Sequence, residues 1–171
     1  YYSDKENFMD KEKDYKYYTS LGIEQTNQQN FEKALEYFEK SLELNDKSAL
    51  TYFSKGIAYH NLNQLQAAFE NYSKAIEIDS GMTDAYFNRA QAILSYEEPE
   101  ECELRDALTD FQKAVQLDKG FADAYFYAAV VQKKLGLYKE AVDSLDKVIE
   151  LEPMAVHSKA LKKLILQKYL K

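Results

Sequence analysis

The side chains with reactive chemistry to offer in this 171-residue sequence are two histidines, one cysteine and a surplus of carboxylates. A metal site needs His, Cys or carboxylate ligands at a spacing that brings them to one point. His60 and His157 have no such companions, so a packed or solvated ring is expected of each. A nucleophilic thiol needs a cation or an imidazole to support the thiolate. Cys102 stands instead among Glu100, Glu101 and Glu103, whose charge opposes it. No two of the 5 glycines fall close enough together to form a phosphate-cradling loop. The remaining carboxylates occupy outward positions of amphipathic stretches, where a solvated face is the default reading. These residues lead us to expect no catalytic group, no metal and no cofactor, and hence a non-enzymatic protein.

Whatever positions these side chains is helical. With 46% hydrophobic and 30% charged residues the chain can bury a core, while 5 Gly and 2 Pro leave few turns for an all-β sandwich. Acidic residues number 29 against 22 Lys and Arg, and the only arginines are Arg89 and Arg105, which argues against a nucleic-acid surface. The longest apolar run, 124–131, is far too short for a membrane span. The single Cys102 cannot form an internal disulfide, which favours a cytoplasmic compartment. Because it opens at Tyr1, without Met or a signal-peptide pattern, the chain reads as a processed or truncated piece. The aromatics are lopsided: 15 Tyr and 9 Phe, but no Trp.

A repeat accounts for much of this. The segment beginning Ala34-Leu35-Glu36-Tyr37-Phe38 returns at Ala68, Ala107 and Ala141, at separations of 34, 39 and 34 residues. Each copy carries apolar residues at i, i+4 and i+8, the stripe of an amphipathic helix. A second helix precedes each, marked by Tyr18, Tyr52, Tyr86 and Tyr125 at separations of 34, 34 and 39. The five extra residues therefore lie in the third copy, around 96–103, where Pro99 suits a first helical turn and the glutamates suit its positive end. A longer first helix, a turn near Glu98 and an early second helix are expected there, with an acidic ridge that is either a tolerated extension or an edge for a basic partner.

These residues resemble the tetratricopeptide-repeat family over 15–155. The family's large aromatic is matched by Tyr18, Tyr52, Tyr86 and Tyr125, and its following small residue by Gly22, Gly56, Ala90 and Ala129. Its second-helix alanine is matched by Ala34, Ala68, Ala107 and Ala141, and the next bulky residue by Phe38, Tyr72, Phe111 and Leu145. The closing proline appears only as Pro153, and Tyr always stands where Trp is usual. The resemblance implies an all-α solenoid of helix-turn-helix repeats in a right-handed superhelix. Its divisions are a lead-in 1–14, repeats 15–48, 49–82, 83–121 and 122–155, and a final helix 156–171. The glycines and alanines let helix backbones approach, with the four tyrosines expected to fill the space beside them. One helix pair cannot bury its stripe alone, so neighbours must stack.

The resemblance also implies a function, binding of a peptide or partner segment in a concave groove lined by the first helices. The family uses the second, fifth, sixth and ninth positions of each. Counted here from Tyr15, Ala49, Thr83 and Ala122, they single out Phe53, Ile57, Phe87, Asn88, Gln91, Phe126, Tyr127 and Val130 as the groove residues, with Asp84 and Asp123 on the rim. Three Phe at fifth positions suggest aromatic anchors, or rings that simply pack against a neighbouring repeat. Relatives that clamp a chaperone's C-terminal carboxylate place cations where this chain has Asp84 or Asp123, so a chaperone tail is not expected. Two alternatives stay open: a module that self-associates through 156–171, where Leu164, Ile165 and Leu166 are consecutive, and a targeting part of a larger enzyme.

Overall fold

The structure is a computed structural model that describes residues 14–170. The lead-in expected before Asp14 lies outside them. The chain divides into two compact units, 1–82 and 83–171, so the boundary falls where the second 34-residue copy ends. The first unit holds α1 (Tyr15–Asn27), α2 (Phe31–Leu44), α3 (Ala49–Asn61) and α4 (Leu65–Ile78). The second holds α5 (Thr83–Leu94), α6 (Glu101–Leu117), α7 (Ala122–Lys134), α8 (Tyr138–Leu151) and α9 (Val156–Lys168). Among the described residues there is no strand.

In the first unit, Asp14 caps α1 by accepting the Tyr17 N–H at 2.9 Å, and Ser48 caps α3 by accepting that of Thr51. The hairpin turns close with paired backbone bonds of the Schellman type: Gln29 to Thr26 and Asn30 to Gln25, then Asn63 to His60 and Gln64 to Tyr59. Gln29 and Asn63 adopt φ of 62° and 57° there. Hairpin α1/α2 contacts α3, and α3 pairs with α4. The helices approach so closely that a Cβ on Gly56 would stand 2.6 Å from the Tyr72 ring, and one on Gly22 would collide with Phe38. This corrects one expectation: the rings against these glycines come from the second helices, Phe38 and Tyr72, and not from Tyr18 and Tyr52. Ala34, Phe38 and Ala58 form the buried centre, with Ile23, Phe31 and Leu35 around it.

In the second unit, α5 pairs with α6, α7 with α8, and successive hairpins pack through α6/α7 and α8/α9. The α7/α8 turn repeats the Schellman pair, Gly136 to Lys133 and Leu137 to Gln132, with Gly136 at φ 76°. The five-residue insertion departs from expectation in one respect. The first helix is not longer: α5 has 12 residues where α1, α3 and α7 have 13. The extra length goes into the loop 95–100 and into α6, which has 17 residues against 14 in each other second helix. Pro99 precedes the helix, and the Glu103 carboxylate accepts the Glu100 N–H at 2.8 Å. Beyond α8, Ile165 of α9 is buried with Ala129, Ala141 and Leu145, while Leu164 and Leu166 are exposed. The Tyr138 and Tyr169 rings stack at 4.3 Å and tie the end of α9 to α8.

Candidate binding faces on the first helices

The eight groove residues expected from the sequence are all half-buried. In the first unit Phe53 lies 5.9 Å from the Tyr72 ring and so partly packs on its own hairpin, with Ile57 one turn on. The face of α1 and α3 borders a cavity of about 330 Å³, lined by Lys16, Ser20, Ile23 and Leu50 among others. Thr19 and Ser48, which also line it, belong to a hydroxyl cluster that the sequence reading missed. Thr19 Oγ1 lies 2.8 Å from Ser41 Oγ and 2.7 Å from Thr51 Oγ1, and Thr51 Oγ1 also donates to Ser48 Oγ at 2.7 Å. Ser41 Oγ donates to the Tyr15 carbonyl. The four hydroxyls thus satisfy one another inside a buried site, as buried polar groups must.

In the second unit the fifth- and sixth-position rings join one aromatic cluster. Phe87 lies 5.6 Å from Phe111, 4.7 Å from Phe121 and 5.9 Å from Tyr127. Tyr127 stacks on Phe111 at 6.0 Å and meets Phe126 edge-on at 5.4 Å. Phe126 also packs on the buried cluster that contains Ile165. The rings at the Phe positions pack on neighbouring side chains yet remain partly open. Asn88 donates its amide to the Asp84 carbonyl at 2.8 Å, which leaves its Oδ1 as an acceptor; Gln91 and Val130 lie on the same helices. Phe126 and Tyr127 also line a cavity of about 250 Å³, together with Asp123, Val148, Glu152, Ser158 and the exposed His157 among others.

An ion pair between the half-buried Arg89 and the buried Asp110 ties α5 to α6. Arg89 donates from Nε and Nη2 to the two oxygens of Asp110, each at 2.7 Å. This bidentate contact raises the Arg89 pKa, while burial pushes that of Asp110 up against the pull of the guanidinium. Of the reactive candidates, His60 packs near Tyr72 at 6.5 Å, and burial lowers its pKa. Cys102 is exposed, its Sγ 3.7 Å from Glu100 Oε2. Among the described residues no group of His, Cys, Asp and Glu could hold a metal ion, and no helix is long and apolar enough to cross a membrane.

Stacked hairpins with this register define a tetratricopeptide solenoid, and residues 15–48 and 49–82 each match the model of that repeat. Residues 82–171, just over half of the chain, match the family described as regulator of microtubule dynamics protein 1-3, and the chain belongs to that family. Among solved structures, a crystal structure of MamA protein is 21% identical with a TM-score of 0.81, over 90% of this chain and 81% of that one. The Arabidopsis OM64 TPR domain is 28% identical with a TM-score of 0.62, over 71% of this chain and 96% of its own. The first TPR of Spaghetti (RPAP3), bound to HSP90 peptide SRMEEVD, is 24% identical with a TM-score of 0.65, over 72% and 94%. No curated protein matches the chain by sequence.

Proposed function

We propose that this chain is a non-catalytic protein-interaction scaffold that binds an extended segment of a partner on its first-helix faces. In the second unit Phe87, Phe126 and Tyr127 are the anchors, Asn88 and Gln91 hold the partner's backbone, and Val130 extends the apolar floor; in the first unit Phe53 and Ile57 play the same part. The observation that carries this reading is the half-buried aromatic cluster beside an open cavity, an arrangement of apolar anchors with polar groups at the edge that suits peptide capture. The RPAP3 relative holds its peptide on the same fold. That acidic peptide is not carried over, because Asp84 and Asp123 would repel it.

The family description suggests in addition that the partner acts in microtubule dynamics. The groove reading is tested with Asn88→Ala combined with Tyr127→Ser, helicity being checked by circular dichroism. Capture of a partner identified by proximity labelling should fall by about tenfold or more. Unchanged capture would remove the reading. Co-sedimentation of that partner with microtubules tests the second suggestion.

A further inference from the structure

We propose that the cavity formed by α7, α8 and α9 is a pocket for a lysine or arginine side chain of a basic protein segment; this rests on the reading of the first-helix faces as the binding surface. Three observations on different elements converge there.

The first is a carboxylate released from its turn. At equivalent positions of the three earlier repeat junctions stand Asn45, Asp79 and Asp118. Each side chain is spent locally, accepting the N–H two residues on: Lys47 at 3.1 Å, Gly81 at 2.9 Å and Gly120 at 2.8 Å. These are Asx turns, which need the short side chain. The fourth junction carries Glu152, one methylene longer. Its junction closes through the backbone alone, Ala155 N–H to the Glu152 carbonyl at 2.9 Å. Glu152 lines the cavity, and its carboxylate is engaged by no described residue.

The second is Asp123, in the first turn of α7, which lines the same cavity and also has no ion-pair partner among the described residues. The third is Ser158, 3% exposed and on the cavity wall. It is the repeat equivalent of Thr51, whose hydroxyl has three hydroxyl neighbours. The Ser158 hydroxyl has none among the described residues, since Phe126 and Val148 stand where Thr19 and Ser41 would be. The hydroxyl opens to the cavity, where a ligand that supplies an N–H would give it a partner.

The lining selects the occupant. Phe126, Tyr127 and Val148 offer apolar walls to the methylenes of a long side chain. Two unpaired carboxylates meet its charged head, whereas an acidic segment would bring a third like charge. Lysine and arginine are the side chains that combine a long apolar stem with a cationic hydrogen-bond donor.

The probe is a short fluorescein-labelled peptide of repeating Lys-Ala-Leu, with Arg-Ala-Leu and Glu-Ala-Leu as the other arms, bound to the full chain and followed by polarisation. The Lys or the Arg peptide should bind about tenfold or more tighter than the Glu peptide. Asp123→Asn with Glu152→Gln should weaken it by about tenfold, and Ser158→Ala by about threefold. Glu36→Gln with Glu43→Gln, an equal change of charge on exposed positions of α2, should leave it unchanged. Equal binding of the Glu peptide, no loss in the Asp123/Glu152 variant, or an equal loss in the α2 control each overturns the pocket. Partner capture lost with Tyr127→Ser but kept with Asp123→Asn/Glu152→Gln would overturn the pocket while the groove reading stands.

Discussion

Where α1, α2 and α3 meet, the space is held by Thr19, Ser41 and Thr51; at the equivalent place among α7, α8 and α9 stand Phe126, Val148 and Ser158. The same repeat register therefore carries two chemistries. Hydroxyls within 3.2 Å of one another satisfy their own hydrogen bonds. A ring at the same place stays half-buried and borders a cavity. The supports differ as well. Between α5 and α6 sits the bidentate Arg89–Asp110 pair; the equivalent of Arg89 in the first unit is Lys55, which reaches Glu39 at a looser 3.6 Å. The first unit instead gains closeness, with Gly22 and Gly56 where the second has Ala90 and Ala129. One unit is tightened by small residues and hydroxyls, the other by rings and a charge pair, and the second gathers its half-buried rings into one aromatic cluster where the first has Phe53 against Tyr72.

The sharpest test of this contrast is Asp110→Ala, which removes the carboxylate that takes both guanidinium bonds of Arg89 and should cost about 3 kcal/mol, read as a lower midpoint in urea. Replacing both partners by Leu should recover most of that loss, and if it does not, the pair does more than neutralise itself. Next comes Gly56→Ala, which forces the Tyr72 ring to move and should cost about 2 kcal/mol by the same measurement. Equal tolerance of alanine at Gly56 and at its natural site Ala90 would erase the claimed difference in approach. Thr51→Val removes the hub of the hydroxyl cluster and should cost about 1 to 2 kcal/mol, while Ser158→Val at the equivalent site should cost less, because its hydroxyl has no partner to lose. The smallest effect runs the other way. Tyr72 Oη is buried without a partner among the described residues, and Phe38 and Phe111 occupy the equivalent sites. Tyr72→Phe should therefore stabilise the first unit by about 1 kcal/mol, seen as a rise in thermal midpoint.

Much of the fold was legible because helix burial has a period and repeats return it. Ala34, Ala68, Ala107 and Ala141 are all fully buried, and the insertion was located to within a few residues from spacing alone. How the insertion is divided was not legible: glutamates at 100–103 can start a helix or end a loop, and the choice fell to a lengthened α6 that buries Leu104 and Leu108. The aromatic positions of the candidate site could be placed on a helix face, but not their mutual contacts. Nor could the hydroxyl cluster be foreseen, since Thr19, Ser41 and Thr51 look like ordinary polar residues when read one helix at a time. A signal was available in hindsight: the fifth-position column reads Thr19, Phe53, Phe87 and Phe126, and the one departure coincides with hydroxyls in two neighbouring columns.

The sequence by itself determined the helical class, the repeat length, the count of copies and the faces that turn inward, because each follows from the spacing of apolar and small residues along one chain. The tertiary structure decided what no spacing encodes. Arg89 meets Asp110 across 21 residues, Thr19 meets Thr51 across 32, and Asp123 lines the same cavity as Glu152. Such meetings depend on how three helices pack against one another, and a side chain's partner, its burial and the cavity beside it are properties of that packing.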